Sequence, residues 1–328
     1  MDDVTDGVTD GAADGGKGSL RTHVLDGSPR LWPLLARGAF LSLFKRARGG
    51  VPAPRTRLVL PGVRIDLGRL AAYERACGFG VGADELPITY PHVLGFPLAM
   101  RLMSERGFPL PLLGLVHTSI GITRRRATAA TGEYELSVHV DELVPHRRGT
   151  EAVVVTEVRT GSELVWESRS TYLARHRNRP RARARHTSAG NAGGPTASDA
   201  TEAPDATDAR GSLRPDARVP LPVVAEWALA GDVGRRYGAA SGDRNPIHLH
   251  PLTARLFGFR RAIAHGMWTV ARCLAEHGAP QTALVRAEFR APVLLPGTVS
   301  YGAEGAAFEL RGAGGRLHLT GEVLNAQL

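Results

Sequence analysis

The sequence predicts an α+β protein in which antiparallel strands dominate and helices lie against them. Segments with apolar residues at every second position are frequent, and no regular alternation of strand, helix and parallel strand occurs. The order of elements in the first half, an early helix followed by a series of strands, recurs in the second half. A helix with apolar faces followed by long strands predicts, in each half, a sheet wrapped around a helix.

The composition fits a globular protein, and the length suits two domains of ordinary size or one domain with tails. The chain has 328 residues, 43% of them hydrophobic, a formal net charge of +9 and a pI near 10.3. Much of the excess charge lies in "RHRNRPRARARH" (residues 175–186), and no nucleic-acid motif accompanies it. We therefore expect no nucleic-acid partner; a basic surface suits phosphate-bearing small molecules or an acidic carrier protein.

The sequence predicts a cytoplasmic protein without a membrane span. No apolar run approaches the length of a spanning helix, and the start, "MDDVTDGVTDGAADGG", lacks the order of a secretory signal. "RLWPLLARGAFLSLFKRARG" (residues 30–49) is interpreted as a helix packed on its own domain, with contact to a membrane surface as the alternative. Cys77 and Cys273 have no metal-type spacing and are expected to be reduced thiols.

Two stretches lack the pattern of a folded core and divide the chain. Residues 1–20 are acidic and rich in glycine, and residues 176–218 are rich in Arg, then in Ala, Ser, Thr, Gly and Pro. Such compositions do not bury enough apolar surface to offset the entropy of ordering, so both are predicted to be disordered. The predicted domains are then residues 21–175 and residues 219–328, joined by the linker 176–218.

In the first domain, one helix precedes four strands. Apolar residues recur at helical spacing in "PITYPHVLGFPLAMRLMSERG", where Pro97 is expected near the start of the helix. The strand-like runs that follow are separated by turn residues. They are "LGLVHTSIGITRR", "GEYELSVHVDEL", "EAVVVTEVRT" and "ELVWESRSTYLAR".

In the second domain, a strand "PVVAEWALA" precedes a short helix "VGRRYGAAS", which Asp232 is expected to cap. A longer helix is predicted over residues 263–276, ended by Gly278. Three strands are expected to follow it. They are "TALVRAEFRAPVLLPG", "TVSYGAEGAAFELRG" and "GRLHLTGEVLNAQ".

The segment between the two helices, "SGDRNPIHLHPLTARLFGFRRAIAHGMW" (residues 241–268), carries the densest chemistry of the chain. Gly, Asp, Asn and Pro favour tight turns, so Asp243 and His248 are expected on an irregular segment. Pro246 fixes the backbone between them, and Asn245 can hold the turn through its side-chain amide. A carboxylate and an imidazole placed in this way can act on one water molecule as a general acid and base.

The end of this segment, "AIAHGMW", predicts an oxyanion site at the start of the longer helix. A helix N-terminus presents unpaired N–H groups and a partial positive charge. Gly266 lets a ligand carbonyl approach the backbone closely, which suits an enolate. Together with the Asp/His pair, this pattern indicates addition of water to, or its removal from, a carbonyl-activated double bond.

The stretch "YGAASGDRNPIHLHPLTARLFGFRRAIAHGMW" resembles the MaoC-like dehydratase, or (R)-specific enoyl-thioester hydratase 2, family. The family motif reads Tyr, small residues, Ser-Gly-Asp-x-Asn-Pro-aliphatic-His and, later, Ala-His-Gly-Met, and each part is present here. The first half, "LPITYPHVLGFPLAMRLMSERGFPLPLLGLVHTSI", resembles the non-catalytic half of two-domain actinobacterial 3-hydroxyacyl-thioester dehydratases. In some single-domain relatives a serine in the helix supports the catalytic Asp. Ungapped counting from Gly266 places Leu274 at that position, so this support is either absent here or supplied by another residue.

The resemblance implies a double hotdog fold, in which each of two helices is wrapped by an antiparallel sheet. It assigns catalysis to Asp243 and His248, and binding of the thioester oxygen to the N–H of Gly266. Four further residues are expected to order the loop or touch substrate. They are Ser241, Asn245, Pro246 and His265.

The resemblance further implies that the first half has lost the catalytic pair and shapes a tunnel for the acyl chain. That stretch lacks the GDxNPxH pattern, and its only comparable residue is His92. His92 and His117 are therefore interpreted as structural. A preference confined to short chains would count against the tunnel.

The predicted function is a hydro-lyase that interconverts (R)-3-hydroxyacyl and trans-2-enoyl thioesters of CoA or acyl carrier protein, without a cofactor. The protein is expected to be a monomer or a homodimer. The alternatives are a non-catalytic hotdog subunit that binds acyl thioesters, and a thioesterase by fold analogy. A metal site of Asp243, His248, His250 and His265 can be drawn, but no metal is expected because the remaining spacing is not that of a metal site and the chemistry needs none.

Overall fold

A computed structural model describes residues 20–42, 44–45, 51–176 and 219–326. Residues 1–19 and 177–218 lie outside the described residues. They contain nearly all of the predicted acidic terminus and of the predicted linker, so the domain boundaries stay a prediction.

The described residues of the first half form six strands and three helices. The helix Tyr90–Ser104 has Pro91 in its first turn, and Gly78 ends the helix Leu67–Cys77 with a positive φ of 82°. In chain order the elements are β1 (Arg21–Val24), α1 (Leu31–Ser42), β2 (Thr56–Arg64), α2 (Leu67–Cys77), α3 (Tyr90–Ser104), β3 (Leu115–Arg124), β4 (Glu133–His146), β5 (Gly149–Thr160) and β6 (Glu163–Arg175).

Over residues 219–326, the second half forms five strands and four α-helices. Two of the helices are single or double turns within the chemistry-rich segment. In chain order the elements are β7 (Val223–Leu229), α4 (Val233–Ser241), α5 (Pro246–Leu249), α6 (Pro251–Leu256), α7 (Gly266–His277), β8 (Ala283–Phe289), β9 (Gly297–Glu304), β10 (Ala307–Gly312) and β11 (Leu317–Asn325).

All eleven strands form one continuous sheet in the order β1-β2-β4-β5-β6-β3-β8-β11-β10-β9-β7. Only the β1–β2 pair is parallel, and every other pair is antiparallel. The two halves meet where β3 pairs with β8, from Ser119 opposite Glu288 to Arg124 opposite Ala283. The predicted antiparallel α+β class is therefore confirmed.

Each half places one long helix against its part of the sheet. Helix α3 packs on β4 and β5, and α7 packs on β10. The alternating burial along the strands gives each helix an apolar wall, and Leu98 and Val270 at the helix centres have no exposed surface. This is the arrangement that the sequence predicted, a helix wrapped by a sheet in each half.

Contacts outside the sheet also join the halves. Helix α2 packs against α4 and α7. The indole N–H of Trp268 donates to the Ala76 carbonyl at 2.7 Å, and the Arg69 Nε donates to the Ala240 carbonyl at 2.8 Å. The first half therefore contacts α4 and α7, the two helices on either side of the chemistry-rich loop.

Four local expectations are corrected by the structure. The run "TVSYGAEGAAFELRG" forms two strands, β9 and β10, because Gly305 turns the chain with a φ of 57°. Pro97 lies inside α3 rather than near its start. The Asp232 side chain makes no capping hydrogen bond and instead pairs with Arg236 at 3.3 Å. Helix α7 begins at Gly266, three residues later than predicted.

Within the described ranges, no helix is both long and apolar enough to cross a membrane.

Candidate active site

The loop that follows α4 places Asp243 beside the end of that helix. Gly242 ends α4 with a φ of 84°, a conformation that favours glycine, and its N–H donates to the Gly238 carbonyl. The Asp243 N–H donates to the Ser241 Oγ at 3.2 Å. The left-handed conformation of Gly242 and the hydrogen bond to the buried Ser241 therefore fix the position of Asp243 after the helix.

Asn245 and Pro246 start the next element, which the sequence reading did not predict. The Asn245 Oδ1 accepts a hydrogen bond from the Ile247 N–H at 3.4 Å, and Pro246 occupies the first turn of α5. His248 consequently lies inside a single-turn helix and not on an irregular segment, which corrects that expectation. A side-chain cap followed by proline is a helix start even when the helix has only one turn.

His248 is buried and oriented by one hydrogen bond. Its Nδ1 lies 2.8 Å from the carbonyl oxygen of Ile263. Because a carbonyl only accepts, Nδ1 carries the proton in the neutral ring, and Nε2 is left with a free lone pair. The Ile263 N–H in turn donates to the Ile247 carbonyl. The ring is therefore held in the tautomer that can accept a proton from a ligand.

His265 stacks on His248 and holds the Asp243 backbone. The two imidazole centroids are 3.7 Å apart, and the His265 Nε2 donates to the Asp243 carbonyl at 2.9 Å. Only 2% of the His265 side chain is exposed, and it makes no capping hydrogen bond to α7. This geometry fits a residue that orders the loop rather than one that meets solvent or substrate directly.

The ionisable atoms of Asp243, His248 and His265 lie within 4.8 Å of one another. Burial raises the pKa of Asp243, while His248 and the Asn245 N–H oppose that rise. Burial likewise lowers the pKa of His248, opposed by Asp243 and by the Ile263 carbonyl. Burial and His248 place the pKa of His265 well below its usual range. The Asp243 side chain keeps 26% of its surface exposed, so a ligand can reach the carboxylate.

The four-residue metal set drawn from the sequence is not assembled. His250 is exposed, and its Nδ1 accepts from the Leu252 N–H at the start of α6. The other three residues remain close enough to share an ion. However, one nitrogen of each histidine already faces a backbone carbonyl, so each imidazole offers only its second nitrogen.

Gly266 is the first residue of α7, so its N–H has no acceptor within the helix. A Cβ at this position would lie 2.9 Å from Cε1 of Phe289, a distance that real side chains do not tolerate. Glycine is therefore required by the packing of Phe289 against the start of the helix. The N–H of Gly266, which has no acceptor within the helix and lies at the positive end of the helix dipole, can receive a developing oxyanion.

Two rings of the first half, those of His117 and Tyr172, lie beside this site, where the sequence did not predict them. Phe289 lies 4.8 Å from the ring of His117, which stacks on Tyr172 at 4.5 Å. The charge of Asp243 also raises the pKa of Tyr172, which is otherwise raised mainly by burial. His117 and Tyr172 sit on β3 and β6, and only their cross-strand pairing brings them to the site. No sequence motif marks them.

Comparisons with known proteins agree with this architecture. The profile of the MaoC like domain family matches residues 214–308. The protein named 3-hydroxyacyl-thioester dehydratase X of Mycobacterium tuberculosis is 33% identical over 278 residues, which are 80% of this chain and 88% of that protein. A crystal structure of that protein, HtdX, superposes with a TM-score of 0.64 at 31% identity, covering 81% of this chain and 98% of that one.

A more distant structure shares the fold. A MaoC-like dehydratase from Phytophthora capsici has a TM-score of 0.62 at 17% identity and covers 84% of this chain and 96% of its own. Two long helices, each packed against its own part of one continuous antiparallel sheet, form the double hotdog arrangement, which confirms the predicted fold class. The chain belongs to the MaoC-like dehydratase family, and it is an enzyme of the hydro-lyase class.

Proposed function

We propose that this enzyme interconverts (R)-3-hydroxyacyl and trans-2-enoyl thioesters, with Asp243 and His248 as the catalytic pair. The observation that carries the proposal is the hydrogen bond from His248 Nδ1 to the Ile263 carbonyl, which leaves Nε2 as an acceptor beside the Asp243 carboxylate. The relative named 3-hydroxyacyl-thioester dehydratase X supports the substrate class.

In the hydration direction, one water molecule donates its two hydrogens to the carboxylate of Asp243 and to Nε2 of His248. The pair accepts one proton as the water oxygen bonds to C3, and the C2–C3 π electrons move towards the thioester carbonyl. The N–H of Gly266 holds the enolate oxygen that forms. The proton taken by the pair then returns to C2, and H and OH have been added across the double bond. Dehydration uses the same groups in reverse.

The raised pKa of Asp243 suits this role, because a carboxyl that takes and returns a proton works best when its pKa approaches the operating pH. Ser241, Asn245, Pro246 and His265 act on the backbone that carries the pair. Their contacts run to the Asp243 N–H, to the start of α5 and to the Asp243 carbonyl. They are positioning residues in this proposal.

The test is the loss of enoyl-thioester ultraviolet absorbance with crotonyl-CoA and a medium-chain trans-2-enoyl-CoA, and with the same acyl groups on acyl carrier protein. Asp243→Asn is expected to lower kcat by roughly a thousandfold or more with the melting temperature preserved. Asp232→Asn is the matched control, because Asp232 lies at the opposite end of α4 from Asp243 and pairs with Arg236 at the surface. Chiral analysis of the product is expected to give the (R) alcohol.

Two outcomes would overturn the proposal. Full activity in Asp243→Asn would remove the catalytic pair from the mechanism. No hydration of any enoyl thioester by the unaltered protein, on either carrier, would reject the substrate class.

The pair requires no cofactor in this mechanism beyond the thioester itself. Activity is therefore expected to survive dialysis against EDTA unchanged. Loss of activity with EDTA and its return with one divalent ion would instead favour an ion held by Asp243, His248 and His265.

A further inference from the structure

Four rings form a continuous wall between the starts of the two central helices. His92 is in the first turn of α3, and His117 lies 6.1 Å from it. His117 contacts Tyr172 and Phe289 at 4.5 Å and 4.8 Å, and Phe289 packs on the position of Gly266 at the start of α7. The wall therefore connects the first half of the chain to the place where the thioester oxygen is proposed to bind.

Two nitrogens of this wall are buried without a partner. Neither His92 Nδ1 nor His117 Nε2 has a hydrogen-bond partner among the described residues, and His92 is only 8% exposed. Leaving a buried polar atom unpaired costs free energy, and native proteins rarely do so without a reason. An apolar wall for a plain hydrocarbon chain would be better built from phenylalanine or leucine.

The strand that carries His117 is irregular at that point. The β3–β6 register shifts between His117 and Ser119, so that one additional residue on β3 lacks a direct partner. Bulges of this kind turn a side chain towards a site and occur frequently beside functional pockets. The bulge and the stack on Tyr172 together hold the His117 ring in a fixed orientation.

The protonation state of the His92 and His117 imidazoles limits which ligand groups they can bind. Burial lowers the pKa of His92 to about 4 and that of His117 to about 3, the latter helped by His92. Both rings are therefore neutral near neutral pH, and they attract a carboxylate or phosphate weakly. A neutral imidazole donates through one nitrogen and accepts through the other, which suits a hydroxyl or a carbonyl oxygen.

The proposed position of the thioester places the acyl chain beside this wall. With the thioester oxygen at Gly266 and C3 beside Asp243 and His248, both parts of the substrate lie next to rings of the wall. Tyr172 lies near the Asp243 carboxylate, because the charge of Asp243 acts on its hydroxyl. Phe289 borders the same space from the side of Gly266.

We propose that His92 and His117 bind a hydroxyl or keto oxygen carried by the acyl chain beyond C3, so that the enzyme selects oxygenated acyl thioesters over plain ones. This inference rests on the proposed function, because it takes the acyl thioester as substrate. It extends that function by naming the chemical class of acyl group that the first half of the chain recognises.

The test compares trans-2-enoyl-CoA thioesters of equal chain length, one plain and the others with a single hydroxyl or keto group at successive carbons beyond C3. For at least one position, kcat/KM is expected to exceed that of the plain thioester about tenfold. His117→Phe retains an aromatic ring in the stack and removes the nitrogens. It is expected to lower the ratio of kcat/KM for the oxygenated thioester to kcat/KM for the plain thioester to about one.

His139→Phe is the matched control. His139 lies on β4 in the first half and also has a buried nitrogen without a partner among the described residues, but it faces Arg57 and Glu157. Its substitution is expected to leave the preference unchanged. Circular dichroism and melting curves establish that both variants fold.

Binding of the saturated, unreactive acyl-CoA pair by calorimetry separates this inference from the proposed function. Tighter binding of the oxygenated chain, lost in His117→Phe, supports the inference even without turnover. Equal binding and equal kcat/KM for plain and oxygenated chains at every position overturn it, and leave the hydratase function standing if the plain thioester is hydrated.

Discussion

At the scale of single residues, the backbone decides what Asp243 and His248 can do. The Ile263 carbonyl fixes the tautomer of His248, and the N–H of Asn245 donates to the Asp243 Oδ1 at 3.2 Å. Neither side chain relies on the other for its orientation. Each is therefore ready to meet a water molecule before any substrate binds, which lowers the reorganisation needed during the reaction.

The protonation states of this pair predict the pH profile of hydration. In the proposed mechanism the working form has an ionised Asp243 and a neutral His248. Burial lowers the pKa of His248 and raises the pKa of Asp243, so both groups leave the working form only as the pH falls. We expect kcat/KM to be flat near neutral pH and to fall on the acidic side, with no basic limb from the pair.

The measurement is kcat/KM for an enoyl thioester across the pH range, with each sample assayed again after return to neutral pH to exclude unfolding. In Asp243→Glu, whose carboxyl is ordinarily a weaker acid, any residual activity is expected to show an acid limb shifted upwards. A rise in activity as the pH falls would contradict the assigned protonation states.

At the scale of elements, two glycines of α4 allow the helix to lie against the loop and α5. A Cβ at Gly234 would lie 2.1 Å from the His248 carbonyl oxygen, and one at Gly238 would lie 2.8 Å from the Asp243 carbonyl oxygen. Backbone atoms cannot move aside without carrying the side chains of the proposed catalytic pair with them. The glycines of "VGRRYGAAS" therefore help to position the candidate site.

Gly234→Ala is predicted to displace α5 and His248. Because small errors in the position of a catalytic group are costly, we expect kcat for hydration to fall at least about tenfold, with a lower melting temperature. Gly231→Ala is the matched control: its Cβ would meet only Pro296 at 3.7 Å, an ordinary contact. Unchanged kinetics in Gly234→Ala would mean that α4 and α5 adapt without moving the pair.

The elements also explain which parts of the structure could be predicted from the sequence. The strand β6 occupies the predicted run "ELVWESRSTYLAR" from end to end, because alternation and flanking turns both mark it. Helix α2 and strand β2 were not predicted. Strands β9 and β10 were predicted as a single strand, because the turn at Gly305 contains no proline or asparagine to mark it. Local sequence signals locate a strand or helix only where the periodicity of its apolar residues and the flanking turn residues agree.

The candidate site likewise contains residues that could be predicted from the sequence and residues that could not. The residues from Ser241 to His248 and Gly266 lie together, as their motif predicted, because a loop and a helix start position them locally. His117 and Tyr172 could not be predicted. They reach the site through strand pairing with distant parts of the chain and through a bulge, and neither leaves a mark in the local sequence.

At the scale of the whole molecule, buried neutral histidines couple folding to pH. The pKa of His92 is about 4 and that of His117 about 3 in the folded protein, against an ordinary value near 6.5. Between those values the unfolded chain binds protons that the folded chain does not. Their contribution to stability is therefore fully present above about pH 6.5 and is lost as the pH falls towards the folded values.

We expect the free energy of unfolding to drop by about 2 kcal/mol for each of these histidines between neutral pH and about pH 5. Thermal or urea unfolding across this range measures the slope. The double substitution of His92 and His117 by Phe is expected to flatten the slope whatever its effect on stability at neutral pH. An unchanged slope in that variant would mean that other groups dominate.

The continuous sheet predicts that the two halves fold as one unit, although the sequence predicts two domains. Strand β8 pairs with β3 on one side and β11 on the other, so without the first half it becomes an open edge. The buried Arg124 of the first half donates to the carbonyls of Ala279 and Pro280, and Trp268 would lose its acceptor at Ala76. The wall beside Gly266 would lose His117 as well.

Cutting the chain between residues 198 and 199, in the predicted linker, is therefore expected to leave activity nearly intact only when both fragments are present. The co-expressed fragments 1–198 and 199–328 should copurify and hydrate enoyl thioesters within about threefold of the unbroken chain, because every contact between the halves described above is retained. Fragment 199–328 alone keeps Asp243, His248 and Gly266 but should be inactive or aggregated. Full activity in that fragment would show that the second half is a self-sufficient catalytic domain, and that the first half contributes only selectivity.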